Sequence, residues 1–385
     1  MIQEPSLPVL IAATVAAAWT VTFTFTFIKE EIKIRTLGGH AESLRSLLPF
    51  GLSFIFQIIS HSLRDENLEF MYEQFERTTN ARNHTFTFET RLCGTRWVFT
   101  ADPENVKAML ATQFSEYGKG ARMHRDWNDL MGDSIFTADG QRWHESRQLV
   151  RKYFTKERIS GLNCFERHVQ EMIPLLGNGR TVDVKVIFSR FALDASGDFS
   201  FGRSFNALKD RQNDFSDAFD FIRHKQALIE RAGPLNFLVP RREFRRRVGA
   251  LKEFIKSNVV DAAALTPEEL QTRDKKDEDY TFLHSCASST SDEKLLLDEV
   301  VTVLIAGRDT TAMTLSFCFF ELARNPAVVE DLRREIEQYL GFDRMPTYSD
   351  LKMTRVYRVE VGQMETHPWE SQEGRLLSTQ LTYFI

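Results

Sequence analysis

Cysteine is scarce in this chain. Four occur among 385 residues, Cys93, Cys164, Cys286 and Cys318, with no CxxC pair and no nearby histidine read at metal-ligand spacing. That pattern argues against a structural zinc site and a disulfide framework, and it suits a reducing, cytosol-facing compartment. Positive charge is not in excess either. Forty-nine Lys and Arg face 54 Asp and Glu, a formal net charge of -5. No basic field argues for nucleic acid as a partner. Internal repeats are absent, which excludes a solenoid.

The most telling absence is local. From Pro5 to Ile28 there is no charged residue, and Leu, Val, Ala, Ile and Phe dominate. A run of that length crosses a bilayer as one helix. Lys29, Lys33 and Arg35 follow it, whereas the leader before it carries Glu4 and no base. Positive charge after the span places the following domain in the cytosol. A cleaved signal peptide, the competing reading, would have a shorter apolar region behind a basic residue. The Thr-Phe alternation from Thr20 to Phe27 lowers helix propensity without lowering hydrophobicity much. A second uncharged stretch, Ser46 to Leu63, is interrupted by Pro49 and Gly51. It reads as an apolar segment on the membrane surface, with a second span as the alternative.

What is abundant is phenylalanine, 32 copies in a chain 42% hydrophobic. Such a chain buries a sizeable core, and its large apolar interior either packs on itself or houses an apolar ligand. Residues 84–90 and 95–100 alternate as a hairpin around Cys93-Gly94. Asp102-Pro103 caps and opens a short helix through Ala111. Asp139-Gly140 turns into a helix from Gln141 to Phe154. Thr155 to Asn258 is mainly helical, with breaks at 177–179, Gly202 and Gly233-Pro234. The basic run Arg241 to Arg247 reads as a solvated helix start, with lipid or redox-partner contact as the alternative. Residues 266–281 are dominated by charge and read as an exposed linker or loop. A long helix from Asp292 to Ala323 and another from Pro326 to Leu340 follow. The expected fold class is therefore mainly α with a small β-sheet.

Two segments carry chemistry. Inside the long helix stands Ala306-Gly307-Arg308-Asp309-Thr310-Thr311-Ala312. A glycine there costs about 1 kcal/mol relative to alanine, and an acid beside an alcohol breaks an apolar helix. The bland account is a polar face or a kink from Thr bonding back one turn. The other segment is Trp143-His144-Glu145-Ser146-Arg147, whose Trp and Arg share a helix face. Ile135-Phe136 precedes it and Arg151-Lys152-Tyr153-Phe154 follows.

Together these strings resemble the cytochrome P-450 family. The first resembles the oxygen-binding segment of its helix I, followed in register by Phe320-Glu321-Leu322-Ala323-Arg324-Asn325-Pro326. The second resembles its helix C, and Phe201-Gly202 is a weaker echo. Helix I's arginine and Pro346-Thr347-Tyr348-Ser349-Asp350-Leu351 resemble the fungal alkane and fatty-acid hydroxylase branch. The resemblance implies a heme cofactor, with Trp143 and Arg147 holding a propionate and Ala306 and Gly307 leaving room over the ring. It implies Asp309 and Thr310 as catalytic proton relay. It further implies an apolar, lipid-like substrate, O2, an NADPH-dependent reductase as partner, and a single-pass anchor in the endoplasmic reticulum membrane.

The resemblance covers residues 1–353: an anchor over 1–30 and a P-450 domain, incomplete, over 31–353. Residues 354–385 form a divergent tail. There the family continues into an ExxR helix and a loop with the cysteine ligand of the iron, and neither pattern occurs. Glu321 to Arg324 spells ExxR but belongs to the end of the long helix. Cys318 lies eight residues beyond Thr310, about 12 Å along one helix, and reads as a core thiol. Cys286 reads as lying in a polar loop. No metal ligand is therefore assigned. Without the thiolate, which donates electron density to the iron, two other expectations stand beside the monooxygenase. One is a noncatalytic, membrane-anchored lipid-binding pseudoenzyme; the other is a product that does not accumulate. A retained intron or frameshift would account for the tail.

Overall fold

The computed structural model of the chain describes residues 7–36, 38–44, 51–64, 66–78, 86–93, 95–154, 162–177, 179, 181–210, 214–276, 280–341 and 344–353. The divergent tail, 354–385, lies outside them. The chain divides into two compact units. One holds the residues up to Tyr117 with Arg231–Pro234; the other holds Gly118–Glu230 and everything from Leu235.

In the first unit, helix α1 (Leu7–Thr36) precedes strand β1 (Glu42–Ser43), helices α2 (Leu52–Leu63) and α3 (Asn67–Thr78), and strands β2 (Thr87–Leu92) and β3 (Thr95–Thr100). β1 runs parallel to β2, and β2 pairs antiparallel with β3, from Thr87 opposite Thr100 to Leu92 opposite Thr95. The alternation in the sequence thus gives the expected hairpin, with Cys93 at φ 50 in its turn. Phe88 stacks on Phe99 across the strands at 4.9 Å. The polar residue buried here, Glu89, is held by Arg96 and His40. Helix α4 (Pro103–Lys107) starts as the sequence dictates: Asp102 accepts the Glu104 and Asn105 N–H groups, and proline takes the first position.

Of the second uncharged stretch, residues 51–63 are described: helix α2 buries Phe54 and Ile55, Phe54 meets the rings of Phe70 and Phe99, and Phe56 and Leu63 stay exposed. Gly51 starts it at φ +73, where a Cβ would stand 2.2 Å from the Arg91 carbonyl oxygen. Among the described residues no helix is long and apolar enough to cross a membrane.

The second unit is helical throughout its described residues: α5 (Gly120–Met131), α6 (Gly140–Tyr153), α7 (Asn163–Met172), α8 (Val184–Phe201), α9 (Asp214–Arg231, whose last residue belongs to the first unit), α10 (Arg242–Ala263), α11 (Pro267–Lys276), α12 (Phe282–Ala287), α13 (Glu293–Arg324), α14 (Pro326–Tyr339) and α15 (Tyr348–Met353). The long helix α13 is capped by Asp292, which accepts the Lys294 and Leu295 N–H groups. Its first half is inside the core, with Leu296, Val300, Val301 and Leu304 fully buried against Phe244, Leu251 and Phe282. Its most extensive neighbour is α8. Small residues allow the close crossing: Ala192 and Ala195 on α8, Ala312 on α13.

Three expectations are corrected. The charged stretch is not a loop over 267–276 but helix α11, because Thr266 and Glu269 cap it reciprocally. Cys286 is not in a polar loop; it is fully buried in α12. Cys318 is half-buried rather than a core thiol. The basic run does begin a helix, α10, and four of its five arginines share two acids. Arg241 and Arg245 pair with Asp129, and Arg246 and Arg247 with Glu243.

Asp194 is fully buried in α8 and accepts the Ala207 and Leu208 N–H groups, each at 2.9 Å. Replacing it, Asp194→Ala, strands two buried donors and is expected to cost roughly 3 kcal/mol. The check is a denaturant-unfolding midpoint; a shift within error of zero would show that the turn holds without it.

Candidate functional site

The segment before α6 is set by helix α13. Gly132 has φ +54, and a Cβ there would stand 2.0 Å from an Asp298 oxygen, so only glycine fits. The Asp133 N–H donates to Asp298 at 3.0 Å, and the Ile135 N–H to Glu299 at 2.9 Å. Lys294 bridges Asp133 at 2.8 Å and Asp298 at 3.0 Å, and holds the Asp133 carboxyl down at about 2. At the far end of the segment, Asp139 accepts the Lys119 and Gly120 N–H groups at 2.8 and 2.7 Å. The Lys119 ammonium donates to the Ala138 carbonyl at 2.7 Å. Helix α6 therefore starts from a fixed point, with Gly140 at φ +60.

On α6, Trp143 and Arg147 meet: the guanidinium carbon lies 5.2 Å from the indole centroid. Lys119 lies 5.8 Å from the same ring. Arg147 is exposed, and among the described residues it has no carboxylate partner. The next turns of the helix are fixed by Ser146, Leu149 and Tyr153, which are buried.

On α13, Ala306, Thr310 and Thr314 recur every fourth residue and are all exposed. The Thr310 hydroxyl donates to the Ala306 carbonyl at 2.7 Å. The neighbouring positions face elsewhere, as about 100° per residue requires. Gly307 faces α8, where a Cβ would stand 2.7 Å from the Ser196 hydroxyl. The space this glycine leaves is thus taken by Ser196. Asp309 does not contact Thr310. One oxygen accepts from Arg308 at 2.9 Å and the other lies 3.9 Å from Arg223. Arg308, which the sequence reading left without a role, is 1% exposed and also pairs with Asp220 at 2.9 Å.

A heme is a flat, largely apolar ring with two carboxylates. An exposed small-residue face on α13 and, on α6, an exposed guanidinium with no carboxylate partner among the described residues fit its two parts. Three cysteines belong to the second unit: Cys164 is on α7, Cys286 is buried in α12, and Cys318 is two turns beyond Thr310 along α13.

The cytochrome P450 family model matches residues 53–357. The chain belongs to the cytochrome P450 family. It is 38% identical over 344 residues to a cytochrome P450 monooxygenase, pvhE, of Talaromyces variabilis, covering 85% of this chain and 63% of that protein. It is 33% identical to cytochrome P450 52A12 of Debaryomyces hansenii, covering 82% and 62%, and 37% identical to cytochrome P450 52A1 of Candida tropicalis, covering 66% and 49%. The chain thus spans less than two thirds of the length of these relatives. The crystal structure of the cytochrome P450DA heme domain aligns with a TM-score of 0.63 at 17% identity, covering 82% of this chain and 67% of that one. That likeness shows the P450 fold, and family and fold imply a heme cofactor.

Burial pushes the Glu299 carboxyl up to about 7, against the pull of the groups that donate to it. Raised above its unfolded value, this group contributes stability that is fully present below about pH 4.5 and is lost as pH rises through about 7. Glu299→Gln should remove that decline. The measurement is unfolding stability from pH 5 to 8 in both proteins; equal slopes would exclude Glu299 as the cause.

Proposed function

We propose that this chain is a P450 monooxygenase of the alkane and fatty-acid hydroxylase type, acting on an apolar, aliphatic substrate with O2 and electrons from an NADPH-dependent reductase. The observation that carries the reading is the exposed Ala306–Thr310–Thr314 face on α13, with the Trp143–Arg147 pair on the fixed helix α6. The family supports the reaction class, and relatives named cytochrome P450 52A support the substrate class.

Arg147, oriented by Trp143, would bind a heme propionate. Ala306 would leave room beside the ring. Heme, when bound, supplies the dioxygen-dependent redox chemistry. Thr310 holds an O–H on the same face. Asp309 is the nearest acid in sequence, and its carboxylate must turn from Arg308 to exchange a proton with the Thr310 Oγ1.

The reading includes an anchor in the endoplasmic reticulum membrane, domain toward the cytosol. Its support is the sequence, whose uncharged run from Pro5 to Ile28 is followed by Lys29, Lys33 and Arg35. The threonines that interrupt this apolar run bond back onto helix α1: Thr22 to the Ala18 carbonyl and Thr24 to the Thr20 carbonyl, both at 2.8 Å. A hydroxyl satisfied within its own helix suits hydrocarbon.

A second reading, a noncatalytic lipid-binding membrane protein, is supported by Cys286 being enclosed in α12 and Cys318 lying two turns beyond Thr310 on α13. Membranes bearing this chain, reductase, NADPH and a long-chain fatty acid test the two. A hydroxylated product supports the monooxygenase. Heme retained and fatty acid bound without product overturns it in favour of the second reading.

Arg147→Ala tests the heme assignment separately. Losing a charge-assisted pair should weaken heme retention roughly tenfold, measured by hemin titration of wild type and variant. Unchanged retention would remove Arg147 from the site.

A further inference from the structure

A cluster outside this site has the donors of a transition-metal centre. Cys164 and His168 stand one turn apart on α7, and Asp198 lies opposite on α8. The ligand atoms of all three lie within 4.8 Å of one another. We infer that Cys164, His168 and Asp198 form a binding site for one divalent, borderline-soft cation, Zn2+ being the natural choice.

The spacing fits. Two nitrogen or oxygen ligands of a tetrahedral zinc stand about 3.3 Å apart, given bonds of about 2.0–2.1 Å. The His168 Nε2 is 3.1 Å from an Asp198 oxygen. A thiolate, an imidazole and a carboxylate together are the mixed donor set that suits zinc rather than calcium or magnesium. Three protein ligands leave a fourth position for water.

The ring is also oriented as a ligand. His168 is 2% exposed, and its Nδ1 has no hydrogen-bond partner among the described residues. That nitrogen lies 3.4 Å from a Glu171 oxygen, at an angle too poor for a hydrogen bond. An imidazole whose one nitrogen faces a metal and the other a carboxylate is the usual second layer of a zinc site. The remaining contacts are charged but balanced. Arg167 lies 2.8 Å from Asp198, and Lys209 2.8 Å from Glu171. Two acids and two bases cancel, so a dication that displaces the thiol proton adds one net charge.

A reactive thiol is a poorer account of Cys164. Burial, with Asp198 nearby, pushes it up to about 12, so it is a protonated, inert thiol until a cation takes the proton's place. Its one polar contact besides Asp198 is a long 3.9 Å approach to the Ala195 carbonyl. The sequence reading missed the cluster in part because Asp198 is 30 residues from His168.

Co2+ titrated into the purified full chain, followed by thiolate-to-cobalt charge-transfer absorption, tests the site. One equivalent with an intense band, displaced by Zn2+, is expected. Cys164→Ser should abolish the band, while Cys318→Ser and Cys286→Ser leave it. Glu171→Gln should keep the band but weaken binding roughly tenfold, as loss of a second-layer partner does. Should Cys164→Ser fail to fold, His168→Gln must still weaken binding at least tenfold. No band in the wild-type chain, or a band that survives both Cys164→Ser and His168→Gln, overturns the site. The three residues would then serve only as a polar contact between α7 and α8.

Discussion

A guanidinium inside the apolar core organises the middle of the second unit. Arg308 is 1% exposed on α13, and an unpaired charge there would cost several kcal/mol. It takes two carboxylates, Asp220 on α9 and Asp309 on its own helix, each at 2.9 Å, and lies 5.4 Å from the Phe219 ring. The need for counter-charge therefore ties α9 to α13 at one level. It also decides where Asp309 points. Arg223 approaches the same acid from α9, so two arginines and two aspartates form a neutral cluster. The Arg308 Nε keeps no hydrogen-bond partner, so the pairing is incomplete and part of the desolvation cost remains.

Helix α13 acts on its surroundings differently along its length because each face has a separate task. Its first turns carry Asp298 and Glu299, which accept backbone N–H groups of the Gly132–Ile135 segment, and Lys294, which ties Asp298 to the Asp133 side chain. The middle carries Gly307 against Ser196 and leaves Ala306 and Thr310 open. The orientation of Trp143 and Arg147 is thus fixed by residues one or two turns from the start of a helix whose open face lies farther on. A change at Asp298 would be felt at α6 without touching Trp143 or Arg147.

Much of the fold was legible because its signals are local. Asp102-Pro103, Asp292 and the 95–100 alternation fixed the helix starts and the hairpin, since caps and strand periods act over a few residues. The same local logic was overlooked at Thr266 and Glu269, where a capping box makes a helix of a stretch read from its charge alone. The candidate site residues Trp143, Arg147, Ala306 and Thr310 came from the resemblance alone. Their neighbours were not legible. Nothing in the sequence shows that Gly307 meets Ser196, or that Asp309 turns to Arg308 rather than toward Thr310. Those facts depend on helix crossings between segments about 110 and 90 residues apart in the chain. Packing likewise decided α2, whose Phe54 and Ile55 found partners that an apolar run cannot announce.

Five consecutive residues of α8 show how such crossings distribute work. Asp194 and Asp198 are four apart and share a face; the first holds the backbone of Ala207 and Leu208, the second meets His168 and Arg167 of α7. Ser196 turns to Gly307 of α13, and Gly197 admits the Arg203 carbonyl oxygen, 2.7 Å from where a Cβ would stand. The contact toward α13 sets small residues beside the Phe188–Phe319 ring pair and is governed by shape. The contact toward α7 combines Met172 and Ala195 with a polar cluster of acid, imidazole and thiol. Shape is insensitive to pH and to ions, whereas that polar cluster is not. The attachment of α7 thus rests in part on groups that can titrate, and the α8–α13 crossing on packing.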